Sequence, residues 1–173
     1  MLEILYRGKR KDNGTWVEGF YFCMVHYDGS HIHHFIIPLG VDLSFGTTIE
    51  NIQVEVDPKT VCQYIGMHDN TKWEQLSESE QNRFLQEWNI LENRWNTKED
   101  WKGRKIFEGD ILSFSQKGQN TSGIVKMEDG CFFAIIEGQK CWLSEGIKRY
   151  KGKIIGNIFD NSELIGMEGE TEC

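Results

Sequence analysis

The sequence predicts a mainly β protein of the α+β class: an N-terminal antiparallel meander, an inserted amphipathic helix, and a C-terminal SH3-like curled sheet or small barrel. Three observations lead there. Short β-prone runs recur at both ends of the chain and are separated by Gly-containing turns. A single stretch in the middle carries apolar residues at helical spacing. The 173 residues include only two prolines and no low-complexity run, which argues for a packed chain rather than a disordered one.

The first element is a hairpin. Leu2, Ile4, Leu5 and Tyr6 lead to Asn13-Gly14, and Trp16, Val17, Phe20, Tyr21 and Phe22 follow. Asn-Gly readily takes the two positive φ angles of a type I′ turn, so a tight turn is expected there. Asp28-Gly29 marks a second turn, before His31-Ile32-His33-His34-Phe35-Ile36-Ile37. Residues 40–48 read as a loop, and the β-prone run from Thr60 to Ile65 closes this part.

The middle differs in kind. Phe84, Trp88, Leu91 and Trp95 follow one another at spacings of four, three and four, which places them on one stripe of a helix running from Ser77 to about Trp95. Ser77 and Glu80 fit a capping box at its start. Such a stripe packs into a core or, with two Trp and a Phe, anchors an interface with another subunit.

The C-terminal part returns to strands, at Ile111–Phe114, Gly123–Lys126, Cys131–Ile136, Lys140–Leu143 and Lys153–Phe159, with a turn at Glu128-Asp129-Gly130. The expected division is a β lobe at 1–66, a helical insertion at 67–102 and a barrel-like lobe at 103–173, together one compact unit.

Charge and cysteine content narrow the function classes. The net charge is -8, which weighs against broad binding to nucleic acid phosphates. Arg7, Lys9, Arg10 and Lys11 form a local basic run that reads as a solvated hairpin end. No apolar run approaches a membrane span and Met1-Leu2-Glu3 opens no signal peptide, so a cytoplasmic location and no membrane partner are expected. The five cysteines are odd in number and without paired spacing, and are read as free thiols, with Cys173 the most exposed.

Sites of chemistry are sparse. His31 and His33 lie two apart on a strand, so both side chains point the same way and could reach one metal, with Cys23 or His26 completing the set and zinc the suited ion. This motivates the reading as a metal-dependent hydrolase or nuclease. Against it, no second ligand pair with metal spacing is present, and the expected cofactor is none. Five cysteines and five histidines offer chance Cys–His pairings without an activating context. Glu108 and Asp110 sit two apart on a turn, and no phosphate-binding glycine loop occurs.

Several motifs together resemble the YopX family of phage and prophage proteins. They are Arg7 with Trp16 and Gly19; Gln63-Tyr64-Ile65-Gly66; Gly103-Arg104-Lys105-Ile106-Phe107-Glu108-Gly109-Asp110; and Ile155-Gly156-Asn157-Ile158-Phe159, followed by Asn161-Ser162-Glu163-Leu164. Two departures stand out: residues 67–101 occupy a place where the family commonly has a short turn, and Ser162 replaces the usual Pro. The resemblance implies a phage or prophage origin, a product in the bacterial cytoplasm, and no catalytic residues to carry over. Read physically, Glu108-Gly109-Asp110 is a turn holding two strands and Gly156-Asn157 a bend in a curled strand.

With six Trp and ten Phe, more aromatic surface is present than a small core readily hides. The leading expectation is therefore a self-associating binding or assembly protein, a homo-oligomer engaging a host or phage protein. A nucleic-acid-binding accessory using residues 7–11 is the third reading.

Overall fold

The structure, a computed structural model, describes residues 4–41, 48–89, 92–116, 119–136 and 138–164. The chain folds into two compact units, one of residues 1–64 with 77–100 and the other of 65–76 with 101–173. The segment expected as one insertion, 67–102, thus contributes to both.

The first unit is built on an antiparallel sheet. Its strands are β1 (Tyr6–Lys9), β2 (Trp16–Val25), β3 (Ile32–Pro38), β4 (Val54–Glu55) and the start of β5 (Cys62–His68), in the order β4-β3-β2-β1-β5. A short helix, α1 (Ile49–Ile52), precedes β4. Gly8, Ile36 and Val56 meet on one face: Ile36 and Val56 are fully buried, and a Cβ at residue 8 would lie 3.2 Å from Val56. The hairpin between β1 and β2 is where it was expected, but it is wider. Lys9 faces Trp16, and Arg10 N–H donates to the Thr15 carbonyl. Only Gly14 has positive φ, at 70°, while Asn13 turns its side-chain oxygen to Thr15 N–H instead. Asn thus caps its own loop rather than entering the left-handed region. Asp129 and Gly130 supply the two-residue turn, with φ of 51° and 76° and Glu128 opposite Cys131.

The helical segment is shorter than its apolar spacing suggests. The capping box is formed: Ser77 Oγ accepts from Glu80 N–H, and the Glu80 carboxylate accepts from Ser77 N–H. Helix α2, however, covers only Glu78–Leu85. Beyond it, Trp88 and Trp95 face each other across a small hairpin of β6 (Trp88–Asn89) and β7 (Arg94–Trp95). Asparagines redirect the chain. Asn89 accepts from Glu92 N–H, Asn93 takes a φ of 51°, and Asn96 donates its amide to the Phe84 carbonyl. Two Asn side chains compete with the helix for backbone groups and a third Asn takes a left-handed φ, and together they outweigh an apolar stripe. Phe84 is half-buried, Trp95 stands 58% exposed, and Leu91 lies outside the described residues.

The second unit holds the end of β5 beside β8 (Lys105–Phe107), and a five-stranded antiparallel sheet. That sheet comprises β9 (Asp110–Gln116), β10 (Gln119–Glu128), β11 (Cys131–Ile136), β12 (Gln139–Trp142) and β13 (Lys153–Asn157), in the order β12-β11-β10-β9-β13. It is open, with β12 and β13 as edges, and among the described residues no barrel closes. Helix α3 (Leu143–Tyr150) packs Leu143 and Ile147 into a core with Ile106, Leu112, Phe114, Val125 and Ala134. Cys23, Cys62, Cys131 and Cys141 are free thiols, and Cys173 lies outside the described residues. No helix among the described residues is long and apolar enough to cross a membrane.

Candidate functional site

The glycine-rich motifs of the second unit come together around two buried carboxylates. Gly109 takes a φ of 79° at the turn from β8 to β9. Asp110, the next residue, is fully buried, and its carboxylate accepts from Phe107 N–H at 2.8 Å. This turn is locked to the last motif. Asn157 pairs with Asp110 and Gly156 with Ile111, and Ile158 N–H donates to the Gly109 carbonyl. The bend read at Gly156-Asn157 is a register shift in β13 between Ile154 and Gly156. Asn157 then starts an Asx turn, its oxygen accepting from Phe159 and Asp160 N–H. Glu108 is set apart from Asp110: it is half-buried and accepts a long bond from Met127 N–H.

Asp69 forms the second centre, which the sequence reading passed over. It is 4% exposed at the end of β5. One carboxylate oxygen accepts from Thr71 N–H and Arg104 N–H, both at 2.9 Å. The other accepts from the Thr71 hydroxyl at 2.6 Å and from Ile154 N–H at 3.0 Å. Gly103 supplies the close approach this needs: its φ is 111°, and a Cβ there would lie 2.1 Å from the Asp69 carbonyl oxygen. A single side chain thus ties β5, the segment before β8, and β13. Asn70 adds to the clasp by donating to the Ile147 and Gly152 carbonyls, and Trp101 by donating to the Thr71 carbonyl. The signal in the sequence was slight: Asp-Asn-Thr after a β-prone run resembles any loop, and Asp69 finds Ile154 only in the folded chain. A carboxylate saturated by three backbone N–H groups and one hydroxyl positions the main chain and has no lone pair left over for general-base work.

In the first unit, Arg7 and Trp16 of the early motif touch, the guanidinium lying 4.8 Å from the ring centre, with Lys9 5.5 Å from the same ring. Tyr64 is buried, and Gly66, which belongs to the second unit, takes a φ of 77°. The histidines disperse. His31 precedes β3 and hydrogen-bonds Ser30, His33 faces Glu55 at 3.0 Å, and His26 pairs with Asp28. Cys23 lies opposite His34, and so on the face away from His33. Among the described residues no three His, Cys, Asp or Glu side chains gather as a metal site would require.

Fold and motifs define an α+β protein, mainly β, in which the recurrent glycines and carboxylates hold strands in register. The chain belongs to the YopX family, whose model, described as YopX protein, matches residues 77–166. The match takes in α2 and the β6–β7 hairpin, a stretch that the sequence reading set outside the family pattern. It also contains the motifs at 103–110 and 155–159, and leaves out Arg7, Trp16 and Tyr64. The crystal structure of protein EF1440 from Enterococcus faecalis is similar, with a TM-score of 0.50 and 19% identity over 95% of this chain and 99% of that one. At that identity the likeness is one of fold. Curated proteins give no match.

Proposed function

We propose that the protein is a self-associating binding or assembly module. One observation carries the reading: large apolar side chains stand in solvent while the buried carboxylates are engaged in holding the main chain. Phe20, Met24, Val25, Ile32, Trp95 and Trp142 are all at least half exposed, although buried carboxylates such as Asp69 and Asp110 serve the fold. Surface of this kind gains from being covered by protein. The partner classes are a second copy and a protein of the bacterial cell or of a phage.

Light scattering of the full chain across a concentration range tests the reading. The expected mass is at least twice that of one chain, falling on dilution. A monomer persisting at high micromolar concentration refutes self-association.

A further inference from the structure

The β2–β3 ribbon outgrows the sheet that supports it. β1 covers β2 only from Trp16 to Gly19, and on the other side β4 and Val56 follow β3 no further than His34. Beyond these limits, Cys23, Met24 and Val25 are held in strand form only by Ile32, His33 and His34. A two-stranded ribbon is marginal in water unless something packs on it.

The side chains show where the cover is missing. Val25 and Ile32 form a direct cross-strand pair on one face and are 62% and 55% exposed. Met24 points to the other face and is 51% exposed, and Tyr27 at the tip is fully so. An antiparallel strand pair with one solvated face ordinarily alternates apolar with polar; here both faces carry bare apolar groups. Phe20, 50% exposed, lies on the same face as Met24.

Charge selects the occupant. Residues 19–41 hold one acidic side chain, Asp28, and no Lys or Arg, in a chain of net charge -8. Asp28 is itself engaged by Ser30 and His26. Two acidic copies repel across most surfaces, and this ribbon is where they can meet without like-charge contact. A polyanion would find no Lys or Arg on it, and a basic partner only Asp28. On that face Val25, Ile32 and the tip Tyr27 offer roughly 400 Å² of removable surface, about half of the ~800 Å² per partner of an ordinary stable interface.

We infer that one face of the outer β2–β3 ribbon, with Val25, Ile32 and Tyr27 at the tip, is the surface through which two copies of this chain associate, ribbon against ribbon about a twofold axis. The inference rests on the self-association reading and moves the contact away from the Phe84–Trp95 segment.

The test compares the masses of wild type, Val25→Lys/Ile32→Lys and Trp95→Ala by sedimentation equilibrium, with circular dichroism to confirm folding. The expected result is a wild-type dimer, a dissociation constant raised at least about 100-fold in the double-lysine variant, and no change in Trp95→Ala. Should the lysines unfold the chain, Val25→Ser/Tyr27→Ser is measured in their place, with at least about a 10-fold rise expected. A ribbon variant that keeps wild-type affinity, or a dimer broken by Trp95→Ala alone, overturns the ribbon assignment and leaves self-association standing. A monomeric wild type removes both.

Discussion

Replacing Asp69 tests whether the second unit is held by one carboxylate. In Asp69→Ala the backbone N–H groups of Thr71, Arg104 and Ile154 lose their acceptor at a buried site. A buried donor left unpaired costs about 1–3 kcal/mol, so three cost roughly 3–6 kcal/mol with some relief from entering water. Set against a total stability of about 5–15 kcal/mol, that approaches the limit of folding. Asp69→Asn keeps the shape but turns one acceptor oxygen into a donor, losing two of the four bonds, or roughly 2–4 kcal/mol. Urea unfolding followed by tryptophan fluorescence is a suitable assay, because Trp101 donates to the Thr71 carbonyl beside the site. Amide exchange at Arg104 and Ile154 localises the effect. If Asp69→Ala stays within about 1 kcal/mol of wild type and the Ile154 amide remains protected, Asp69 is not the tie described here.

Three further outcomes follow from the same geometry. Gly103→Ala, forced to a φ of 111° and against the Asp69 carbonyl oxygen, should lose at least about 2 kcal/mol in urea titration, whereas Gly66→Ala, with open space around it, should lose only about 1 kcal/mol. Burial, with Lys105 and Lys102 nearby, holds the His68 imidazole below its ordinary value of 6.5. The unfolded chain therefore takes up that proton first. Stability from this source is complete above 6.5 and declines as pH falls below it, a decline that His68→Gln should remove from the pH series of urea midpoints. Arg94 donates two hydrogen bonds to Asp100, at 2.7 and 3.0 Å, and holds its carboxyl far below the usual 3.8. Its contribution is present above that value and lost as pH falls below it, so Asp100→Asn should be the weaker protein at neutral pH and show a flatter acid limb.

Local chemistry made much of the fold legible. Asp28-Gly29 and Asp129-Gly130 turn where their φ preferences direct, and the capping box at Ser77 starts the helix it announces. Short β-prone runs between Gly-containing turns marked the strands of both units. Helix α3 was missed because Leu143, Ile147 and Tyr150 give it only two turns of pattern, interrupted by Gly146, and the sequence before it reads as strand. Gly146 is small because a Cβ there would meet the Phe114 ring at 2.9 Å, a requirement set by β9, far off in sequence.

The functional residues divide along the same line. The sequence by itself determined the mainly β class, the family motifs, the acidic balance and the scarcity of catalytic groupings, since each depends on residue type and short-range spacing. Tertiary structure alone decided that Trp88 and Trp95 face each other across a hairpin, that Asp69 reaches Arg104 and Ile154, and that the ribbon runs past β1 with its apolar groups bare. Helical spacing and cross-strand pairing place the same residues together in different ways, and which one forms depends on where the asparagines send the backbone. A buried carboxylate likewise acquires its role from donors thirty-five and eighty-five residues away, a distance over which no local pattern carries information.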